Sequence, residues 1–329
     1  MYDAVLDDLR RMDSAQICAV SDRLTKPGGE KKKAVAGMST LSSEVAATRV
    51  PLDAAPEPQG PETHIRPRKG WIAIDWSELW RYRELLYFLV WRDVKVRYKQ
   101  AVLGIAWAVL APVIQVAIFT LVFRSQGKIG DVPMSLYIFA AMIPWMFVSA
   151  AITQGGMSLV HQQHLLNKIY LPRLFIPSSA IGSAMVDLVI SFAIFFVWMA
   201  VKGYVPSWQI VYVPALLLLT IFVSIGIASL LSALTVTYRD LRILIPFIAQ
   251  IAMWVSFVPV NVDVAVNPKY QWILAFNPLF GVFDAYRSAM FGLPWRPLHL
   301  LSSVVGGTIL LILGIFYFRK TERRFADIA

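Results

Sequence analysis

One acidic residue, Asp187, lies within a long apolar stretch and is the most chemically conspicuous side chain of the sequence. It is the only charged residue between Arg173 and Lys202. In the middle of a membrane-spanning helix an ionised Asp costs about 2.5–3.5 kcal/mol, so it is expected to face protein or water and to have a partner. Candidate partners are Ser183, Ser191 and Gln250. A functional site and a packing role for Asp187 both stay open.

The sequence contains no recognisable catalytic constellation. The nearest approach to a Walker A loop, residues 127–129, lacks the hydroxyl residue after Lys128 and the upstream glycine. His161 and His164 are spaced to share a helix face, but no third ligand candidate lies nearby, and the single cysteine, Cys18, excludes an internal disulfide. We therefore predict no catalytic residues, no metal site and no cofactor in this chain itself.

Six apolar stretches must position these residues. Hydrophobic residues form 57% of the chain and the mean hydropathy is +0.58. A helix needs about 20 apolar residues to cross the hydrocarbon layer, and each stretch is long enough. We predict an all-α integral membrane protein with six transmembrane helices. The stretches lie between Lys99 and Arg124, Asp131 and His161, Arg173 and Lys202, Lys202 and Arg239, Arg242 and Asp263, and Arg296 and Arg319.

The distribution of Lys and Arg predicts the orientation. With both termini in the cytoplasm, 17 of the cationic residues beyond residue 65 lie inside and 6 outside. Loops rich in Lys and Arg stay cytoplasmic, so this orientation is favoured. The net charge of +10 is explained by the same loops and by attraction to anionic lipid, and does not require a nucleic-acid partner.

The chain divides into four parts. Residues 1–70 are polar and proline-containing, which predicts a disordered cytoplasmic extension. The pattern of residues 71–100 predicts an amphipathic interface helix. Whether this helix is a plain membrane anchor or a docking element stays open. A transmembrane domain follows over 101–319, and residues 320–329 form a cytoplasmic tail. On the interface helix the charged residues of one face are Arg81, Glu84, Arg92, Lys95 and Lys99.

Residues 264–295 do not resemble an ordinary external loop. Their apolar pieces are too short to cross a membrane, which predicts a re-entrant helical hairpin before the last span. Asn277 and Pro278 are suited to begin a helix, and Gly292 and Pro294 to end it. Asp284 and Arg287, three residues apart, are spaced to pair on that helix, and the alternative is a surface ion pair of little value.

Four ordered blocks resemble the permease subunits of type 2 ABC exporters for polysaccharides and polyol phosphates, which carry O-antigen, capsule and teichoic-acid polymers. The resemblance runs from residue 71 to the C-terminus. The blocks are ELLYFLVWRDVKVRYKQAVLGIAW at 84–107, LNKIYLPRLFIP at 166–177, LSALTVTYRDLR at 231–242, and NPLFGVFDAYRSAMFG at 277–292.

The resemblance implies that this chain is a permease without its own ATPase site, in the bacterial cytoplasmic membrane. Its implied partners are a second copy of itself, two ATP-binding subunits that hold ATP and Mg²⁺, and a lipid-linked polysaccharide as substrate. It also implies coupling to the ATP-binding subunits through the interface helix and the cytoplasmic loops; a polar turn is the simpler alternative for the loop after the second span. The implied coupling residues are Glu84, Arg92, Asp93, Arg97, Tyr98, Leu165, Leu166, Lys168, Ile169, Tyr170, Arg173, Arg239 and Asp240.

A channel for sugars favours aromatic side chains, although Trp and Tyr near span ends are mostly interface anchors. Two other functions stay open: export of a small hydrophobic molecule or drug, and a membrane-embedded glycosyl or phosphoryl transferase. The candidates for the channel or its outer gate are Trp107, Trp145, Phe147, Asp187, Trp198, Trp254, Phe257, Asn277, Phe280, Phe283, Asp284 and Arg287.

Overall fold

The computed structural model describes residues 80–99, 106–124, 129–163 and 171–322. These residues belong to one compact unit, Gly70–Ala329. The predicted N-terminal extension and the predicted coupling residues Leu165, Leu166, Lys168, Ile169 and Tyr170 lie outside the described residues.

The described part of the chain is helical and contains no strand, apart from one bridge between Ile129 and Val132. This confirms the all-α prediction. The α-helices are α1 (Arg83–Lys99), α2 (Ala106–Val122), α3 (Met134–Ala150), α4 (Gly156–His161), α5 (Phe175–Val201), α6 (Val213–Thr237), α7 (Leu241–Val255), α8 (Val262–Ala265), α9 (Pro278–Phe291) and α10 (Pro297–Glu322). A π-helical segment, Ala151–Gly155, joins α3 to α4, and 3₁₀ segments occupy Trp208–Tyr212 and Pro268–Phe276.

Four helical segments are long and apolar enough to cross a membrane: Met134–His161, Phe175–Val201, Trp208–Thr237 and Pro297–Glu322. Two more apolar helices, α2 and α7, are shorter, with 17 and 15 residues. α7 ends earlier than the predicted fifth span, because Phe257 just beyond it has a φ of 49°, a conformation that cannot continue a right-handed helix.

At one end of the helix bundle, α1 packs against the ends of four other helices. Leu89 of α1, Leu159 of α4, Phe175 of α5, Val236 of α6 and Phe318 of α10 form a single buried cluster. At the opposite end, the backbone N–H of Ser207, which follows α5, donates to Met290 O of α9 at 3.0 Å. Helices α1 and α9 therefore lie at opposite ends of the bundle.

Helices α6 and α10 cross at two glycines. A Cβ placed on Gly226 would lie 2.7 Å from the backbone of Leu311, and one on Gly314 would lie 2.2 Å from Gly226 O. Small residues allow such close approach between membrane helices, where van der Waals contact replaces the hydrophobic effect as the attractive force. This crossing holds the last span in place.

We expect Gly226→Val to prevent normal packing of the last span, because the clash is with backbone and not with a mobile side chain. The loss in folding free energy should be on the order of 2–3 kcal/mol, measured by thermal unfolding of the detergent-solubilised protein. Ala215→Val, at an exposed position of the same helix, is the matched control. Equal melting of both variants would contradict the prediction.

Candidate functional site

A cavity of about 340 Å³ lies between α1, α2, α3, the π segment and α5. Its wall brings together four of the predicted channel residues: Trp107, Trp145, Phe147 and Asp187. Arg97 and Tyr98, predicted from the resemblance as coupling residues, line the same cavity. The remaining polar groups on the wall are Gln115, Ser149, Thr153, Gln154 and Ser191.

The carboxylate of Asp187 is held by α1. Arg97 Nη1 donates to one carboxylate oxygen and Tyr98 Oη to the other. The side chains of Arg97 and Asp187 are 28% and 34% exposed, so the pair is neither fully buried nor free in solvent. The candidate partners Ser183, Ser191 and Gln250 were wrong, because the described side-chain partners of this carboxylate are Arg97 and Tyr98. The hydroxyls of Ser183 and Ser191 donate to backbone carbonyls of their own helix.

Tyr98 remains a donor at physiological pH. Burial, followed by the hydrogen bond to Asp187, raises the pKa of its hydroxyl to about 12. The phenol therefore keeps its proton near neutrality, and the carboxylate of Asp187 has one charged and one neutral donor. Both carboxylate oxygens of Asp187 therefore have a hydrogen-bond donor.

Arg97 has further partners. Its Nη2 donates to Ser183 Oγ on α5 at 3.1 Å and to Gln154 Oε1 in the π segment. A π segment widens the helix by one residue per turn and is frequent at functional sites. Gln154 was absent from the sequence predictions, because nothing in its neighbourhood marks a π segment.

The contact between α1 and α5 extends over the length of α1. Ser179 Oγ donates to Asp93 Oδ2 at 3.2 Å, and a Cβ on Gly182 would meet the side chain of Val90 at 2.6 Å. Asp93, Arg97 and Tyr98 thus point into the chain. Arg92 pairs with the adjacent Asp93 at 2.8 Å, and Glu84 is exposed.

The other coupling candidates that the structure describes lie at the end of the bundle where α1 packs against α5, α6 and α10. Arg239 and Asp240 are exposed in the turn between α6 and α7. Arg173, at the start of α5, donates through Nη1 to Glu322 O at the end of α10. Their coupling role stays a prediction.

Two tryptophans among the channel candidates lie away from the cavity. Trp198 lines a second, apolar cavity of about 330 Å³ together with Phe139 and Arg124. Trp254 is 44% exposed, and its ring packs against Phe119 with centroids 6.1 Å apart. A channel role for these two tryptophans would need a partner surface beyond the single chain.

Helix α9 begins and ends where the sequence predicted. Asn277 caps it by accepting from Leu279 N at 3.0 Å, and Gly292 ends it with a φ of 69°. Phe280 and Phe283 are fully buried. Phe280 contacts the ring of Phe257, and the ring of Phe283 packs against that of Trp145 on the cavity wall, with centroids 6.1 Å apart. α9 therefore packs against α3, the helix that carries Trp145 of the cavity wall.

The predicted pairing of Asp284 with Arg287 is wrong. Asp284 lies 3.6 Å from Arg296 Nε. Arg287 is 1% exposed and donates to three carbonyls, those of Tyr137, Phe257 and Val258, while its guanidinium carbon lies 4.1 Å from the centroid of the Tyr137 ring. Two of these carbonyls follow the C-terminal end of α7, where a cation is favourable.

The cavity is suited to binding. Its wall combines indole faces with donors and acceptors from hydroxyl, amide, guanidinium and carboxylate groups. Sugars present both apolar C–H faces and hydroxyl groups, which such a wall complements. Within the described ranges, no cluster of three or more His, Cys, Asp or Glu could hold a metal ion.

Four long apolar helical segments define a multi-pass membrane protein. Comparison with known proteins assigns its family. The protein-family model described as ABC-2 type transporter matches residues 84–291, and the chain belongs to that family. It is therefore a transport protein of the permease type.

Three curated relatives match most of the chain, and each is described as an O-antigen export system permease protein RfbA. The protein of Myxococcus xanthus is 25% identical over 256 residues, which cover 76% of this chain and 97% of the relative. Two proteins of Klebsiella pneumoniae are each 23% identical over 246 residues, covering 74% of this chain and 95% of the relative.

Proposed function

We propose that this chain is the permease subunit of an ATP-driven exporter that moves a lipid-linked polysaccharide, of the O-antigen type, across the bacterial cytoplasmic membrane. The observation that carries the proposal is the similarity to O-antigen permeases over nearly their whole length. The cavity supports it, because its tryptophans and polar groups suit a glycan better than a purely apolar drug.

Six membrane spans with both termini in the cytoplasm form part of the proposal. α2 and α7 complete the six, with the shorter length of each compensated by the residues that flank it or by local thinning of the bilayer. The cluster that joins α1 to the end of α10 supports termini on one face. The segment from α8 to α9 is the proposed re-entrant hairpin, and its backbone is satisfied because α9 is packed on protein.

Energy comes from ATP hydrolysis on partner subunits, as members of this family work with ABC ATP-binding subunits. We propose two such subunits, which hold ATP and Mg²⁺, and two copies of this chain around a shared axis.

The direct biochemical test uses the chain purified alone and with a co-expressed ATP-binding subunit. The chain alone should hydrolyse no ATP, and the complex should hydrolyse ATP faster when a lipid-linked polysaccharide is added. Stimulation by small hydrophobic drugs instead of the lipid-linked glycan would refute the proposed substrate. ATP hydrolysis by the isolated chain would refute the permease assignment itself.

A further inference from the structure

The position of Arg97 gives it a role inside the chain. We propose that Arg97 is a positioning residue that couples movement of α1 to the shape of the cavity, and that Gln154 in the π segment receives this movement. The inference rests on the proposed function and on the expectation from the resemblance that the interface helix, which contains α1, lies at the ATP-binding partner. It differs from the resemblance, which places Arg97 in contact with that partner.

Arg97 joins three elements. Its guanidinium, in the last turn of α1, donates to Asp187 and Ser183 on α5 and to Gln154 in the π segment. All of these elements form walls of the cavity, and Arg97, Asp187 and Gln154 line it directly. A shift of α1 must therefore either move a cavity wall or break the ion pair and the hydrogen bonds that Arg97 makes, which is unfavourable.

Helices α1 and α5 are fastened to each other at several points. Val90 packs into the space left by Gly182, Asp93 accepts from Ser179, and Tyr98 donates to Asp187. α1 and the first half of α5 are therefore expected to move together. The bond from Arg97 to Gln154 is the one described hydrogen bond of this group that leaves α1 and α5 and reaches the π segment.

The π segment connects α3, which lines the cavity, with α4, which leads towards the predicted coupling residues. On one side is α3, whose Trp145 and Phe147 line the cavity, and on the other is α4, which leads to residues 164–170. Gly155 is pressed against α6, since a Cβ there would lie 2.6 Å from Ala228 Cβ. A displacement at Gln154 is thus passed along the helix towards α3 instead of being absorbed sideways.

The test measures the cavity itself. In a Cys18→Ser background, Ser149→Cys places a thiol on the cavity wall, and its rate of reaction with a maleimide is measured in the complex with the ATP-binding subunit, with and without ATP. We expect ATP to change the rate by about threefold or more. Arg97→Met and Gln154→Leu should each abolish the change, while Arg97→Lys should keep part of it.

Lys269→Met is the matched control, because Lys269 is an exposed cation that lies outside α1 and does not line the cavity. It should keep the full response to ATP. The proposal is overturned if ATP changes labelling equally in Gln154→Leu, Arg97→Met and the parent, or if ATP never changes it. Failure of glycan export with an intact labelling response would count against the proposed substrate alone.

A second readout separates coupling from folding. We expect Gln154→Leu to lower the amount of glycan exported per ATP by about fivefold, with the midpoint of thermal unfolding close to that of Lys269→Met. A purely structural role would lower export and folded protein in the same proportion and would overturn the proposal.

Discussion

Asp187→Arg is expected to abolish export, with a fall of at least about tenfold, because it places a second guanidinium beside Arg97. Tyr98 would lose its acceptor at the same time. Export is measured as polysaccharide reaching the surface of intact cells, normalised to the amount of permease in the membrane. The effect should be larger than that of any exposed carboxylate.

Reversal of the pair provides the sharpest check on this prediction. The double variant Arg97→Asp with Asp187→Arg restores opposite charges at the same two positions, so it should recover export by at least about threefold over Asp187→Arg alone. It should stay below the parent, because position 97 no longer donates to Gln154. Asp263→Arg is the matched control: the Asp263 side chain is 60% exposed in its pair with Arg296, so this variant should change export by less than about threefold. If export does not recover in the double variant although the protein inserts normally, the ion pair between positions 97 and 187 does not determine export.

Arg287→Met is expected to destabilise the chain by on the order of 3 kcal/mol, because three carbonyls lose a donor inside the protein. The carbonyls at the end of α7 would also lose the cation that compensates their partial charge. The Tyr137 ring would lose a cation at 4.1 Å. Thermal unfolding of the solubilised chain measures the loss.

Two further variants bracket the effect of Arg287. Arg287→Lys keeps the charge but cannot reach three carbonyls at once, so it should be intermediate. Arg124→Met removes an exposed arginine and should leave the melting temperature nearly unchanged. If Arg287→Met melts at the same temperature as Arg124→Met, the buried guanidinium does not hold α9 to α3 and α7.

Local patterns were enough to predict most of the helices. The hydrophobic stretches gave the long apolar helices, and the cap at Asn277 with Gly292 gave both ends of α9, because these signals lie within a few residues of the feature they control. The end of α7 was missed because the left-handed conformation of Phe257 depends on contacts that residues distant in sequence supply.

The partners of the charged residues could not be predicted in the same way. Asp187 and Arg97 are 90 positions apart, and nothing in the spacing of either segment indicates the other. Ser183 and Ser191 looked suitable by helix spacing, yet in a helix such hydroxyls readily donate to their own backbone. Arg287 likewise donates to one carbonyl of α3 and to two carbonyls just beyond α7, and does not pair with Asp284 one turn away.

The most direct measurement of the central claim uses bacterial cells that lack their own O-antigen permease and carry this chain with its ATP-binding subunit. Polysaccharide is detected by antibody on intact and on lysed cells. Export of a lipid-linked glycan predicts staining of intact cells, lost when either subunit is omitted. Staining only after lysis, with both subunits present in the membrane, would contradict the account.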